Sequence, residues 1–168
     1  MNERHYNVVP ECYADTVLVE ILGFKRPNHV LNSNMSMVIK TIREKQPNQL
    51  IVGIIDSDRG KSEKVLNGFE LVEEQHDIKK FTREKHTILI ICPALEGWIF
   101  QNADLKGINP KDYGFHTPKY FRQVCKKISA NKNTELKRFL NDLKQKAPGF
   151  IQLKTWICEG AGINADDL

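Results

Sequence analysis

Leu50-Ile51-Val52-Gly53-Ile54-Ile55-Asp56-Ser57-Asp58-Arg59-Gly60 is an aliphatic run that ends abruptly in two acids separated by one residue. Pro47-Asn48 precedes it and Gly60 follows it. Its β-branched content and these flanks make it a buried strand. Two carboxylates where such a strand leaves the core repel one another, and a divalent metal relieves that repulsion. The plain alternative is a strand followed by a solvated Asp-Ser-Asp turn, since Asp and Ser favour turns anyway.

The surrounding sequence builds an α/β pattern. Tyr6–Pro10 is a short apolar strand ending at Glu11. Val17, Leu18, Ile21 and Leu22 then recur at helical spacing up to Gly23. Asn32-Ser33-Asn34 can cap a helix carrying Met35, Val38, Ile39 and Ile42. Residues 59–76 read as a charged loop with a short helical piece, and 78–81 as a strand. Thr87-Ile88-Leu89-Ile90-Ile91-Cys92 is a continuous apolar strand that expects burial on both faces, as in a parallel sheet. Pro93 ends it, and Ala94–Asn102 reads as a helix.

Beyond Pro110 the chain turns helical. Pro118 suits a first turn, with Tyr120, Phe121, Val124, Cys125 and Ile128 on one face. Asn133-Thr134 starts a second helix with Leu136, Phe139, Leu140 and Leu143. Pro148-Gly149 breaks it, Phe150–Cys158 is a last helix or strand, and the segment from Gly160 to Leu168 reads as a frayed tail. Strands alternating with helices predict an α/β domain with a mainly parallel sheet, whose ligands sit at the carboxyl ends of the strands. Glu11, Asp56 with Asp58, and Glu96 all fall at or just past that edge.

At 168 residues the chain expects one domain with one core. An apolar content of 40% and a charged content of 27% are those of an ordinary soluble protein, with no apolar run of membrane-spanning length. The polar start Met1-Asn2-Glu3-Arg4 does not read as a signal peptide. Cys12, Cys92, Cys125 and Cys158 have no Cys-x-x-Cys spacing, which argues against a zinc site or a disulfide framework and for reduced thiols in the cytoplasm. The net charge of +4 is uneven: eleven Lys or Arg face three acids between Lys111 and Lys154. A basic back behind an acidic front suits an enzyme acting on a polyanion, and equally suits helices with solvated faces.

The acids carry a resemblance. Val8-Val9-Pro10-Glu11-Cys12-Tyr13-Ala14-Asp15 has the form of a strand, a Glu and an Asp four residues later. Together with Asp56-x-Asp58 and Gly60 it resembles the Toprim domain of topoisomerases, primases and OLD-family nucleases. Cys12 stands where that family has Gly, which implies a different turn. Ile91-Cys92-Pro93-Ala94-Leu95-Glu96-Gly97-Trp98-Ile99-Phe100 is similar to a segment of stand-alone Toprim-like proteins of bacterial mobile and defence loci. The resemblance implies a Rossmann-like three-layer core over residues 6–103, followed by a helical basic extension over 110–158.

It further implies Mg²⁺, or Mn²⁺, on Glu11, Asp56, Asp58 and Glu96, the residues of a phosphodiester-cleaving site. Such ions take hard oxygen ligands and can clamp the attacking and leaving oxygens. Asp15 is a helix-start acid or a partner of the ligands. Lys119, Arg122, Lys126 and Lys127 are the residues expected to meet DNA or RNA. No topoisomerase domain bearing a tyrosine fits in this length, so hydrolysis is favoured over strand passage. The competing reading is a non-catalytic module that works with a separate ATPase, and a third is another metal-dependent phosphotransfer enzyme.

Two further motifs point elsewhere. Gly60-Lys61-Ser62 looks like the end of a phosphate-binding loop, but Ile55 stands where the required first glycine would be. His5, His29, His76, His86 and His116 show no metal spacing and read as surface residues.

Overall fold

The aliphatic run is a strand over Ile51–Asp56, and it lies near the centre of a five-stranded sheet. The structure is a computed structural model describing residues 4–28, 34–57 and 63–168. In chain order the strands and helices are β1 (Val8–Pro10), α1 (Tyr13–Ile21), α2 (Met35–Arg43), β2 (Ile51–Asp56) and β3 (Glu70–Gln75). Then follow β4 (Ile78–Arg83), β5 (His86–Ile91), α3 (Leu95–Leu105), α4 (Pro118–Cys125), α5 (Thr134–Lys146) and α6 (Pro148–Ala161).

The strand order is β1-β2-β5-β4-β3. The β1–β2 and β2–β5 pairs are parallel, and the β5–β4 and β4–β3 pairs are antiparallel. The sheet is therefore mixed rather than mainly parallel. The difference traces to two hairpins: β4 turns directly into antiparallel β5 through Glu84-Lys85, and β3, in a segment whose charged sequence reads as a loop, turns into β4. Glu70-Leu71-Val72-Glu73-Glu74-Gln75 is exposed along its whole length, so no burial pattern marks it. Cross-strand pairing holds it instead: Glu73 and Glu74 stand opposite Lys80 and Lys79. Lys80 Nζ reaches Glu73 at 3.2 Å and Glu159 of α6 at 2.8 Å. His76 and Asp77 both have positive φ, as a two-residue hairpin loop requires.

β5 sits between β2 and β4 with all six residues buried, as its sequence predicts. The alternation of side chains sends Val52, Ile54, Leu89 and Ile91 into one apolar cluster with residues of α1, α3, α4, α5 and α6. Ile51, Ile55, Ile88 and Ile90 enter a second cluster with Met35, Val38, Ile39 and Ile42 of α2. Helices thus cover both faces, α2 on one and the rest on the other. Two glycines set how close they come. A Cβ at Gly53 would meet Ile42 Cδ1 at 2.5 Å, and one at Gly160 would meet Thr87 Cβ at 3.0 Å.

Side chains cap the helices where the sequence placed their starts. Asn34 accepts the Met37 N–H at 3.1 Å, Thr117 the Tyr120 N–H at 3.1 Å, and Asn133 the Leu136 N–H at 2.8 Å. In α5 the residues Leu136, Phe139, Leu140 and Leu143 are all buried, each worth roughly 1.5–3 kcal/mol of transfer free energy. In α4 Phe121, Val124 and Cys125 are buried, but Tyr120 and Ile128 are exposed, because Ile128 lies past the helix end.

The end of the chain is packed rather than frayed. Pro148 opens α6, and the helix continues to Ala161, whose carbonyl accepts from Asn7 Nδ2 at 2.5 Å. Leu168 lies against Gly23. His5 and His86 are also buried, contrary to their sequence reading. His5 Nδ1 accepts the Lys25 N–H at 2.8 Å, and His86 Nε2 is 3.0 Å from the Gln46 carbonyl oxygen. His76 and His116 are exposed, and His29 lies outside the described residues. All four cysteines are free thiols. No helix among the described residues is long and apolar enough to cross a membrane.

Candidate active site

The three parallel strands end at one edge of the sheet, and each delivers an acid there. Glu11 follows β1 directly, its N–H donating to the Ile54 carbonyl at 2.9 Å. Asp56 is the last residue of β2, paired across to Ile91 at the end of β5. Glu96 lies in the first turn of α3, after β5 and the turn at Cys92-Pro93.

Hydrogen bonds tie Glu11 to Asp56 and Asp56 to the start of α3, and an ion pair holds Glu96. The Asp56 N–H donates to Glu11 Oε2 at 3.2 Å, and the Leu95 N–H donates to Asp56 Oδ2 at 3.4 Å. Glu96 Oε1 lies 3.7 Å from Arg122 Nε on α4. A cavity of about 180 Å³ is lined by Glu11, Asp56, Glu96, Arg122 and Lys126, with Cys12 and Cys125 in its wall. The structure therefore brings three of the predicted acids and two of the predicted basic residues around one space. Lys119 lines an adjoining cavity, and Lys127 is exposed just past α4. Asp58 lies outside the described residues, as do Gly60, Lys61 and Ser62.

Asp15 is fully buried near this site, in the first turn of α1. Its Oδ2 accepts the Cys12 N–H at 3.1 Å, while its Oδ1 is a buried oxygen without a hydrogen-bond partner. Burial pushes its carboxyl well above the usual range. The Cys12 hydrogen bond opposes this, and the charges of Asp56 and Glu11 add to it. Burial thus favours the neutral form of the Asp15 carboxyl beside Glu11 and Asp56.

Cys12 adopts φ −135° and ψ −178°, extended backbone open to any residue. The turn after Glu11 therefore has no need of the glycine that the Toprim pattern carries. Burial, then the charge of Asp15, pushes the Cys12 thiol far up, and burial followed by Glu96 does the same to Cys125. Both stay protonated, which rules them out as nucleophiles at neutral pH.

No model of a known protein family, no curated protein and no solved structure matches the chain. What the site can do rests on its own chemistry. Among the described residues, no group of three or more His, Cys, Asp or Glu side chains is placed to hold a metal ion. Glu11 and Asp56 are nevertheless hard oxygen donors side by side, and Mg²⁺ is commonly held by one or two carboxylates with several waters kept. The orphaned Oδ1 of Asp15 is a further oxygen close to these two acids, and an all-oxygen set is the kind such a cation takes. The sequence reading missed the Arg122 partner of Glu96, because that pair depends on α4 packing beside α3. It also missed the bond from Leu95 to Asp56, a backbone contact with no sequence signal.

Proposed function

We propose that the protein is a Mg²⁺-dependent phosphodiester hydrolase of Toprim-like type, a nuclease acting on DNA or RNA. The observation that carries this reading is the meeting of Glu11, Asp56 and Glu96 with Arg122 and Lys126 around one cavity. Acids alone repel a phosphodiester, and bases alone only bind it. Both at the carboxyl edge of parallel strands suit cleaving it.

In this reading Glu11 and Asp56 hold Mg²⁺ or Mn²⁺, with Asp58 as a further ligand. When bound, the ion supplies polarisation of a phosphoryl oxygen and a water of lowered pKa. The Asp56 N–H orients the Glu11 carboxylate, which accepts the proton of the attacking water. Arg122 and Lys126 offset the phosphate charge, with Lys119 and Lys127 extending the basic surface. Glu96 positions Arg122 through their ion pair. The same reading takes residues 6–103 as a Rossmann-like Toprim core, 110–158 as its basic extension, and the cytoplasm as its compartment.

The test is cleavage of labelled single- and double-stranded DNA and RNA with Mg²⁺ or Mn²⁺, against the same protein in EDTA. Metal-dependent cleavage supports the reading, and no cleavage of any of the four contradicts it.

Two observations favour a second reading, a non-catalytic module that works with a separate ATPase. Glu96 faces Arg122 at 3.7 Å, and the described acids do not form a three-residue ligand set. Calorimetry separates the two, since absence of Mg²⁺ or Mn²⁺ binding in the millimolar range favours the module.

A further inference from the structure

A second cavity, of about 610 Å³, opens beside the acids. Pro93, Ala94 and Gly97 form one wall, and Pro118, Lys119 and Arg122 the other. It shares Glu96 and Arg122 with the smaller cavity, so the two adjoin. Its volume is within the range of small-molecule sites, on the order of 300–1,000 Å³.

Gly97 lies in the first turn of α3, where packing does not require a glycine. Its φ is outside the left-handed region, and a Cβ built on it meets only Pro93 Cγ at 3.8 Å, an ordinary contact. Gly149 in α6 is the contrasting case: there a Cβ would meet Asn102 Oδ1 at 2.5 Å. Glycine is among the least favourable residues in a helix, and one use for it is to let a ligand approach the backbone. At Gly97 the missing side chain leaves the cavity open.

The walls describe the ligand. Pro93, Ala94 and Pro118 offer apolar surface, Lys119 offers positive charge beside it, and Arg122 lies there paired with Glu96. A flat apolar body joined to a phosphate matches both. In a duplex the bases are stacked inward and paired, and most of the contact surface is phosphate and sugar. An unpaired base is free to leave the stack and lie on apolar surface.

We infer that this cavity, kept open by Gly97 between Pro93 and Pro118, seats one unpaired nucleotide of a single-stranded nucleic acid. The seated nucleotide neighbours the phosphate at Glu11 and Asp56. That last placement rests on the hydrolase reading, whereas the seating of the base does not.

The experiment is fluorescence anisotropy in EDTA with a short labelled oligonucleotide as single-stranded DNA, single-stranded RNA and duplex DNA. It compares the wild-type protein with Gly97→Leu, whose side chain takes up space between Pro93 and Pro118. The wild type is expected to bind a single strand about tenfold tighter than duplex, the scale of burying about 55 Å² of apolar surface. Gly97→Leu is expected to lose that preference and leave duplex binding unchanged; the ratio of the two single strands tells DNA from RNA. Equal binding of single strand and duplex, or wild-type binding by Gly97→Leu, overturns the inference.

Lys119→Glu reads the cavity from an exposed position that does not disturb α3, and unchanged single-strand binding there also overturns it. Cleavage with Mg²⁺ is measured separately. Single-strand binding through Gly97 without cleavage leaves this inference standing and removes the hydrolase reading. Cleavage by a Gly97→Leu protein that binds as the wild type does the reverse.

Discussion

The backbone N–H of Asp56 donates to Glu11 Oε2 at 3.2 Å, so the last residue of one parallel strand fixes the carboxylate that follows its neighbour. Sheet pairing puts them there. β1 and β2 run parallel with Pro10 opposite Ile54, which leaves Glu11, one residue on, and Asp56, two residues on, at the same edge. The two acids are thus positioned by the most regular part of the fold, and a change at either should alter chemistry far more than folding.

Glu11→Gln and Asp56→Asn keep the size of each side chain and remove its charge. Each is expected to lower metal-dependent cleavage by roughly 10²–10⁴-fold, the range for a lost general base or equivalent group. Melting in EDTA should be unchanged or higher, because repulsion among the acids falls. Single-turnover cleavage and calorimetric melts of the same samples check this, and wild-type cleavage by both variants would remove these residues from the site.

Asp15 predicts a pH dependence of stability. Its folded pKa is raised, so above the unfolded carboxyl value of about 3.9 the folded protein keeps a proton that the unfolded chain releases. Stability from this group is complete below that value and is lost as pH rises toward the folded pKa. Asp15→Asn removes the titration and keeps an oxygen for the Cys12 N–H. In EDTA the variant should melt close to wild type near pH 4 and above it at pH 7–8. The expected scale is about 2–4 °C for each kcal/mol relieved. Melting curves across that range decide it, and a variant less stable at pH 8 than at pH 4 relative to wild type contradicts it.

Arg122 lines both cavities and pairs with Glu96. Arg122→Ala is expected to weaken single-strand binding and to reduce the slope of log K against log salt by about 0.7, the value for one phosphate contact. Titrations at several salt concentrations measure the slope directly. A weaker affinity with an unchanged slope would assign Arg122 a structural role only.

Asn102 anchors the helix that carries Glu96. Its Nδ2 donates to the Trp98 carbonyl at 2.9 Å, and its Oδ1 accepts the Gly149 N–H of α6 at 3.2 Å. Asn102→Ala leaves that buried N–H unpaired and should cost about 1–3 kcal/mol, seen in denaturant unfolding.

Much of this was readable before the structure. The apolar runs Leu50–Ile55 and Thr87–Cys92 read as buried strands, and residues such as Asn34, Pro118 and Asn133 mark helix starts by local chemistry. The acids at strand ends follow from those strands. What was not readable depends on partners distant in sequence. β3 is a strand because β4 pairs with it, not because its glutamates favour one. The segment from Gly160 reads as a loose tail, yet Gly160 packs on Val52 and Thr87. Arg122 meets Glu96 only because two helices lie side by side, and no spacing within either helix announces it.

The most direct test of the account is anomalous diffraction from crystals soaked in Mn²⁺. The account predicts a manganese peak at the carboxyl edge of β1 and β2, about 2.1 Å from oxygens of Glu11 and Asp56, and its absence from Asp56→Asn crystals. A soaked wild-type crystal with no peak among Glu11, Asp56 and Glu96 would contradict it.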